Sequence, residues 1–141
     1  MKQFLYIIII SFLIGGSIER EINIFHAKGV VEISAGGGYG TGFIVDPSGI
    51  IVTNAHVIDQ ADEVIIRTKE KKEYKVTGYY AISHERDYAI LQINSKKNER
   101  LPVLRLGDSN KVKVGDDIIA VGNPKHLSHT ITQGIISSKR E

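Results

Sequence analysis

His56 and Asp87 are the two residues whose types and positions could do chemistry together. His56 stands in Thr53-Asn54-Ala55-His56-Val57, directly after an apolar, β-branched run, and Asp87 stands 31 residues later, directly before another. If strands are antiparallel in a barrel, the end of one and the start of another can meet at the same rim. A carboxylate on one imidazole nitrogen fixes the tautomer and leaves the other nitrogen to take a proton from a nucleophile. A lone histidine after a strand is more often a solvated structural residue, so the reading rests on the elements around it.

Other chemistry-bearing patterns are weaker. Gly36-Gly37-Gly38-Tyr39-Gly40 precedes a strand instead of linking a strand to a helix, and it lacks the Gly-Lys-Ser/Thr ending of a phosphate loop. It reads as a flexible loop over residues 35–40. His126 and His129 could be half a metal site, but no third ligand stands at a convincing spacing, so no metal or cofactor is expected. Residues 70–73 mix both charge signs and read as a solvated hairpin tip. Cysteine is absent, which removes disulfide scaffolds, thiolate zinc sites and cysteine nucleophiles together.

The elements that must position His56 and Asp87 follow from patterning. The 141 residues suit one domain, or one domain and part of a second, with 42% apolar and 24% charged residues. A net charge of +2 without a basic cluster argues against a nucleic-acid partner. Short β-type runs cover residues 30–34, 41–46, 50–54, 62–68, 74–83 and 88–93. Asp46-Pro47-Ser48-Gly49 places Pro and Gly where a turn wants them, and Gly78 marks a bulge or bend. No amphipathic helix of useful length intervenes, so the spacing predicts an all-β antiparallel barrel or sandwich. A polar connector over 94–100 leads to a turn-rich stretch and two further strands, 117–122 and 130–137.

The N-terminus has another character. Lys2 precedes an eleven-residue apolar run over 4–14, then Gly15-Gly16-Ser17. Basic, apolar, small is the order of a secretory signal, and the run is shorter than the roughly 20 residues of a bilayer-spanning helix. Residues 1–17 are therefore read as a cleaved signal that exports the protein to the periplasm, envelope or exterior, with an uncleaved membrane tether as the alternative.

With these elements in order, GTGFIVDPSGIIVTNAHVI (40–58), RDYAILQI (86–93), LPVLRLGDSNKVKVGDDIIAVGNP (101–124) and TITQGIISS (130–138) resemble the trypsin-like serine proteases, most closely the bacterial HtrA/DegP branch. The resemblance covers residues 29–138. It implies a trypsin-like antiparallel β-barrel over 18–100 and a connector with the opening strands of a second barrel over 101–141. It implies His56 as general base and Asp87 as its orienting carboxylate. It also implies protein-quality-control proteolysis of unfolded or extended polypeptides, and leaves open a homo-oligomer.

One departure is large. The family's nucleophile lies in a Gly-x-Ser-Gly-Gly turn whose backbone N–H groups also form the oxyanion hole, and no such motif occurs here. Ser137 and Ser138 lie at the end of a strand-like run. The sequence is thus expected to represent a serine endopeptidase cut before its nucleophile and inactive by itself. The alternative is a non-catalytic secreted β-barrel that binds peptides or a partner protein.

Overall fold

The computed structural model describes residues 10–11, 27–96, 99–122 and 130–139. Nine strands are present among them: β1 (Ile10–Ser11), β2 (Val30–Ala35), β3 (Gly38–Asp46), β4 (Ile50–Thr53), β5 (Val64–Arg67), β6 (Glu73–Ser83), β7 (Tyr88–Ile93), β8 (Asp117–Gly122) and β9 (Thr130–Ile135). One short helix, α1 (Ala55–Ile58), follows β4. β2 to β7 close into an antiparallel barrel in the order β2-β3-β4-β7-β6-β5. β8 and β9 form a second, antiparallel sheet, and β1 lies on the outer edge of β8 with Ile10 opposite Ile119. The expected signal segment lies outside the described residues except for β1, and His126 and His129 lie outside them too.

Period-two alternation builds the barrel core. Along β7 the side chains of Ala89, Leu91 and Ile93 are buried and those between are half-buried. Val31, Ile33 and Ala35 from β2, Ile44 from β3, Ile51 from β4, Val64 and Ile66 from β5 and Tyr74 from β6 join the same cluster, with Ile58 of α1 and Leu101 of the connector. Val30, one residue out of phase, faces the other way. It joins Leu104 and Val121 in a second cluster, with Phe43, Ile119 and Ile131 packed against it. That second cluster attaches the β8–β9 sheet to the barrel. Its reach is limited: most of β9 is exposed, and Ile135 is 59% exposed.

Turn chemistry sets the registers. Gly36 and Gly37 have φ of +56° and +81°, as a two-residue type I′ turn demands, so β3 resumes at Gly38, opposite Ala35. The expected loop over 35–40 is thereby corrected to a tight hairpin. A run of glycines reads as flexible by composition, whereas two of them here supply left-handed conformations and the others sit in the ladder. The 46–49 turn is as expected: Gly49 donates its N–H to the Asp46 carbonyl at 3.0 Å, and the Ser48 N–H donates to Asp46 Oδ1 at 2.8 Å. Hydrogen bonds from Ser48 hold the Asp46 carboxyl below its usual pKa. The β6–β7 register shifts between Val76 and Gly78, where a bend was expected.

The connector after β7 is fastened to the barrel. Leu104 donates its N–H to the Ile44 carbonyl at 2.8 Å. Glu99 accepts from Lys72 Nζ at 2.8 Å and from the Tyr74 hydroxyl at 2.9 Å, tying the connector to the β5–β6 turn. No strand forms over 101–106.

Candidate active site

The β4–β7 ladder explains why His56 and Asp87 meet. Thr53, the last residue of β4, is opposite Ala89 of β7. The strands are antiparallel, so the chain leaving β4 and the chain entering β7 emerge at the same rim. His56 is three residues beyond Thr53 and Asp87 two residues before Ala89. Both predicted residues are therefore at one end of the barrel, on elements held together by backbone hydrogen bonds.

α1 presents His56. Its single turn is too short to persist by helix propensity. Ala55 and Ile58 are buried and anchor it in the barrel mouth, while the His56 side chain is 49% exposed. Gly40 of β3 lies directly beneath Val57, so a Cβ at position 40 would overlap both Val57 γ-carbons. Below it, buried Thr53 donates its hydroxyl to the Thr41 carbonyl at 2.8 Å, closing β4 onto β3.

Asp87 receives the imidazole from the opposite side. His56 Nδ1 lies 2.9 Å from Asp87 Oδ1 and 2.8 Å from Oδ2. The His56 backbone N–H also donates to Oδ1, at 3.1 Å. An ionised carboxylate only accepts, so the Nδ1 contact requires the proton on that nitrogen. In the neutral ring Nε2 then carries the lone pair, which is the form a general base needs. Both side chains are partly exposed, 49% for His56 and 33% for Asp87. Water screens such a pair, which contributes about 0–1 kcal/mol to folding. Orientation of the ring is its larger consequence.

A third residue, which the sequence did not single out, belongs to this cluster. Asn54 Nδ2 donates to the Asp87 carbonyl at 2.8 Å and reaches Asp87 Oδ2 at 3.4 Å. The sequence reading placed Asn54 at the end of the strand-like run 50–54, and its contact with Asp87 leaves no local signal. Among the described residues no group of three or more His, Cys, Asp or Glu is arranged to hold a metal ion. A cavity of about 300 Å³, lined by Lys28, Lys72, Tyr74 and Glu99 among others, opens at the opposite rim, by the start of β2 and the end of β5. It is separate from the His56–Asp87 pair.

Comparison with known proteins agrees with this geometry. Residues 40–141 match the family described as trypsin-like peptidase domain. A protein of Pseudomonas savastanoi pv. phaseolicola named "Probable periplasmic serine endoprotease DegP-like" is 42% identical over 100 residues, covering 71% of this chain and 20% of that protein. One of the same name from Rickettsia conorii is 46% identical over 103 residues, covering 71% of this chain and 19% of its own length. The crystal structure of a serine endoprotease from Yersinia pestis superposes with a TM-score of 0.77 at 28% identity, over 90% of this chain and 46% of that one. The chain thus spans about a fifth of the length of the curated relatives it matches. On the closed six-stranded barrel and the match over residues 40–141, the chain belongs to the trypsin-like peptidase family, on its HtrA/DegP-like branch.

Proposed function

We propose that this chain supplies the base and the orienting acid of a serine endopeptidase that cleaves unfolded or extended polypeptides. The observation that carries the reading is the contact of both Asp87 carboxylate oxygens with His56 Nδ1, at 2.9 and 2.8 Å. In the reaction, His56 Nε2 takes the proton of a serine hydroxyl as that oxygen attacks the peptide carbonyl, then gives it to the leaving amine. Asp87 holds the ring and stabilises the imidazolium that forms between the two transfers. The nucleophile and the oxyanion donors are a Gly-x-Ser-Gly-Gly turn, which the 141 residues do not contain, so turnover requires additional chain.

The proposed organisation is a signal over 1–17, the catalytic barrel over 18–100, and the connector with the first part of a second barrel over 101–141. Export is supported by the order of basic, apolar and small residues in that signal and by the periplasmic names of the similar proteins.

A fluorophosphonate probe, which reacts with activated serines, tests the reading. The 141-residue chain is expected to stay unlabelled, and a version extended through a Gly-x-Ser-Gly-Gly segment to be labelled at the new serine. Asp87→Asn should slow turnover of the extended version by about 10⁴-fold. Labelling of the 141-residue chain that His56→Ala abolishes would show that the nucleophile lies elsewhere in these residues. Full activity of the extended Asp87→Asn variant would remove Asp87 from the mechanism.

A further inference from the structure

Asn54 occupies the N-cap position of α1, with φ −87° and ψ 146°, yet its side chain makes no capping hydrogen bond. Asparagine at such a position ordinarily accepts from a backbone N–H in the first turn, a local contact of about 1 kcal/mol. Here the amide turns away and contacts a residue 33 positions later in the chain. Both atoms it faces, the Asp87 carbonyl and Oδ2, are acceptors. Chemistry therefore assigns the NH₂ group, and not the amide oxygen, to that side. Asp87 has φ +52°, a left-handed conformation that asparagine and aspartate tolerate better than most residues but do not prefer. A donor on its carbonyl and a second on its carboxylate hold both ends of the residue in that conformation.

We propose that Asn54 is a positioning residue for the catalytic pair: its amide clamps Asp87 in the left-handed turn so that the carboxylate faces His56 Nδ1. This rests on the base-and-acid reading of His56 and Asp87. The contacts on Asp87 divide the work. His56 supplies its ring Nδ1 and its backbone N–H, at 2.9 and 3.1 Å from Oδ1, and both belong to the residue being oriented. Asn54 is a donor outside that residue, one position past the end of β4, and its neighbour Thr53 is the last residue of β4 in the β4–β7 ladder. The clamp thus references the carboxylate to the junction where β4 passes into α1, directly after the ladder-held Thr53. In a turn of the catalytic cycle it would keep Asp87 in place while the ring gains and loses its Nε2 proton.

The test uses the 141-residue chain and reads the His56 Nδ1 proton by NMR, as a low-field resonance coupled to that nitrogen. Asn54→Asp keeps the shape and the capping ability of asparagine but faces two acceptors with a third. Asn54→Ser keeps the capping ability and removes the amide donor. Asp87→Asn is the reference for loss of the pair. The resonance is expected in the parent and lost in Asn54→Asp, Asn54→Ser and Asp87→Asn, with the Thr53–Ala89 ladder amides unshifted in all. A purely local capping role predicts the resonance intact in Asn54→Asp and Asn54→Ser, and that result overturns the inference. Loss of the ladder amides in both Asn54 variants also overturns it, because Asn54 would then hold the fold instead of aiming a side chain. Persistence of the resonance in Asp87→Asn is a different outcome: it removes the base-and-acid reading itself.

Discussion

Replacing Gly40 with alanine isolates how the barrel seats the histidine. Gly40 has no positive φ, so alanine faces no conformational obstacle there. The obstacle is space. A Cβ at position 40 would sit 2.7 Å from Val57 Cγ2, 3.1 Å from Val57 Cβ, and closer still to Cγ1. Rotating Val57 moves its γ-carbons but leaves Cβ where it is, so the backbone has to yield. β3 is held by the ladder that pairs Gly40 with Ile33, whereas α1 is one turn anchored by Ala55 and Ile58. α1 is the element that moves, and His56 moves with it. Overpacking of this kind costs about 1–3 kcal/mol. Against it, alanine gains about 0.5–1 kcal/mol over glycine by restricting the unfolded chain. The middle of these ranges leaves a net loss of about 1–2 kcal/mol, and at about 3 °C per kcal/mol for a chain of this size Tm falls by about 3–6 °C. Thermal unfolding followed by circular dichroism measures the loss, and the His56 Nδ1 proton resonance should weaken in the same variant. Val57→Ala removes both γ-carbons, so the double variant should recover about 1 kcal/mol relative to the sum of the single changes. A Gly40→Ala protein as stable as the parent, with the Nδ1 resonance undiminished, would refute the steric argument. So would strict additivity in the double variant.

Two further outcomes concern the frame of the barrel. Gly49 combines φ +102° with a Cβ direction that would approach the Ile93 carbonyl to 2.6 Å, so Gly49→Ala meets strain and a backbone atom that cannot rotate away. It should lose about 2–4 kcal/mol, more than Gly40→Ala, and an unchanged urea midpoint would contradict this. Glu99 is the acid-sensitive latch: hydrogen bonds from Lys72 and Tyr74 lower its pKa from 4.5 to about 2. A carboxyl depressed on folding stabilises the fold above its unfolded pKa, and that contribution disappears as pH falls from about 4.5 through about 2. Parent and Glu99→Gln urea midpoints should therefore differ at about pH 6 and converge towards about pH 2.5, and a constant difference would disprove the latch.

What the residues alone determined is the part governed by short range. Alternation along 88–93 marked β7 with its observed ends, because one buried face per strand forces a period of two. Asp46-Pro47-Ser48-Gly49 announced its turn, since Pro sets one φ and Gly permits another. His56 and Asp87 were named from their places at strand ends, and the structure brings them to one rim. The glycine run misled for a local reason of another kind: composition measures how many conformations a segment can adopt, whereas the Ala35–Gly38 pairing selects one of them. Only the closed barrel decided the rest. Asn54 is 33 positions from Asp87 along the chain, and Gly40 is 17 from Val57. Neither contact leaves a periodic signal, because each is created by the pairing of β4 with β7 or by the seating of α1 on β3. The sequence singles out His56 and Asp87, and the barrel sets the distances at which they face each other.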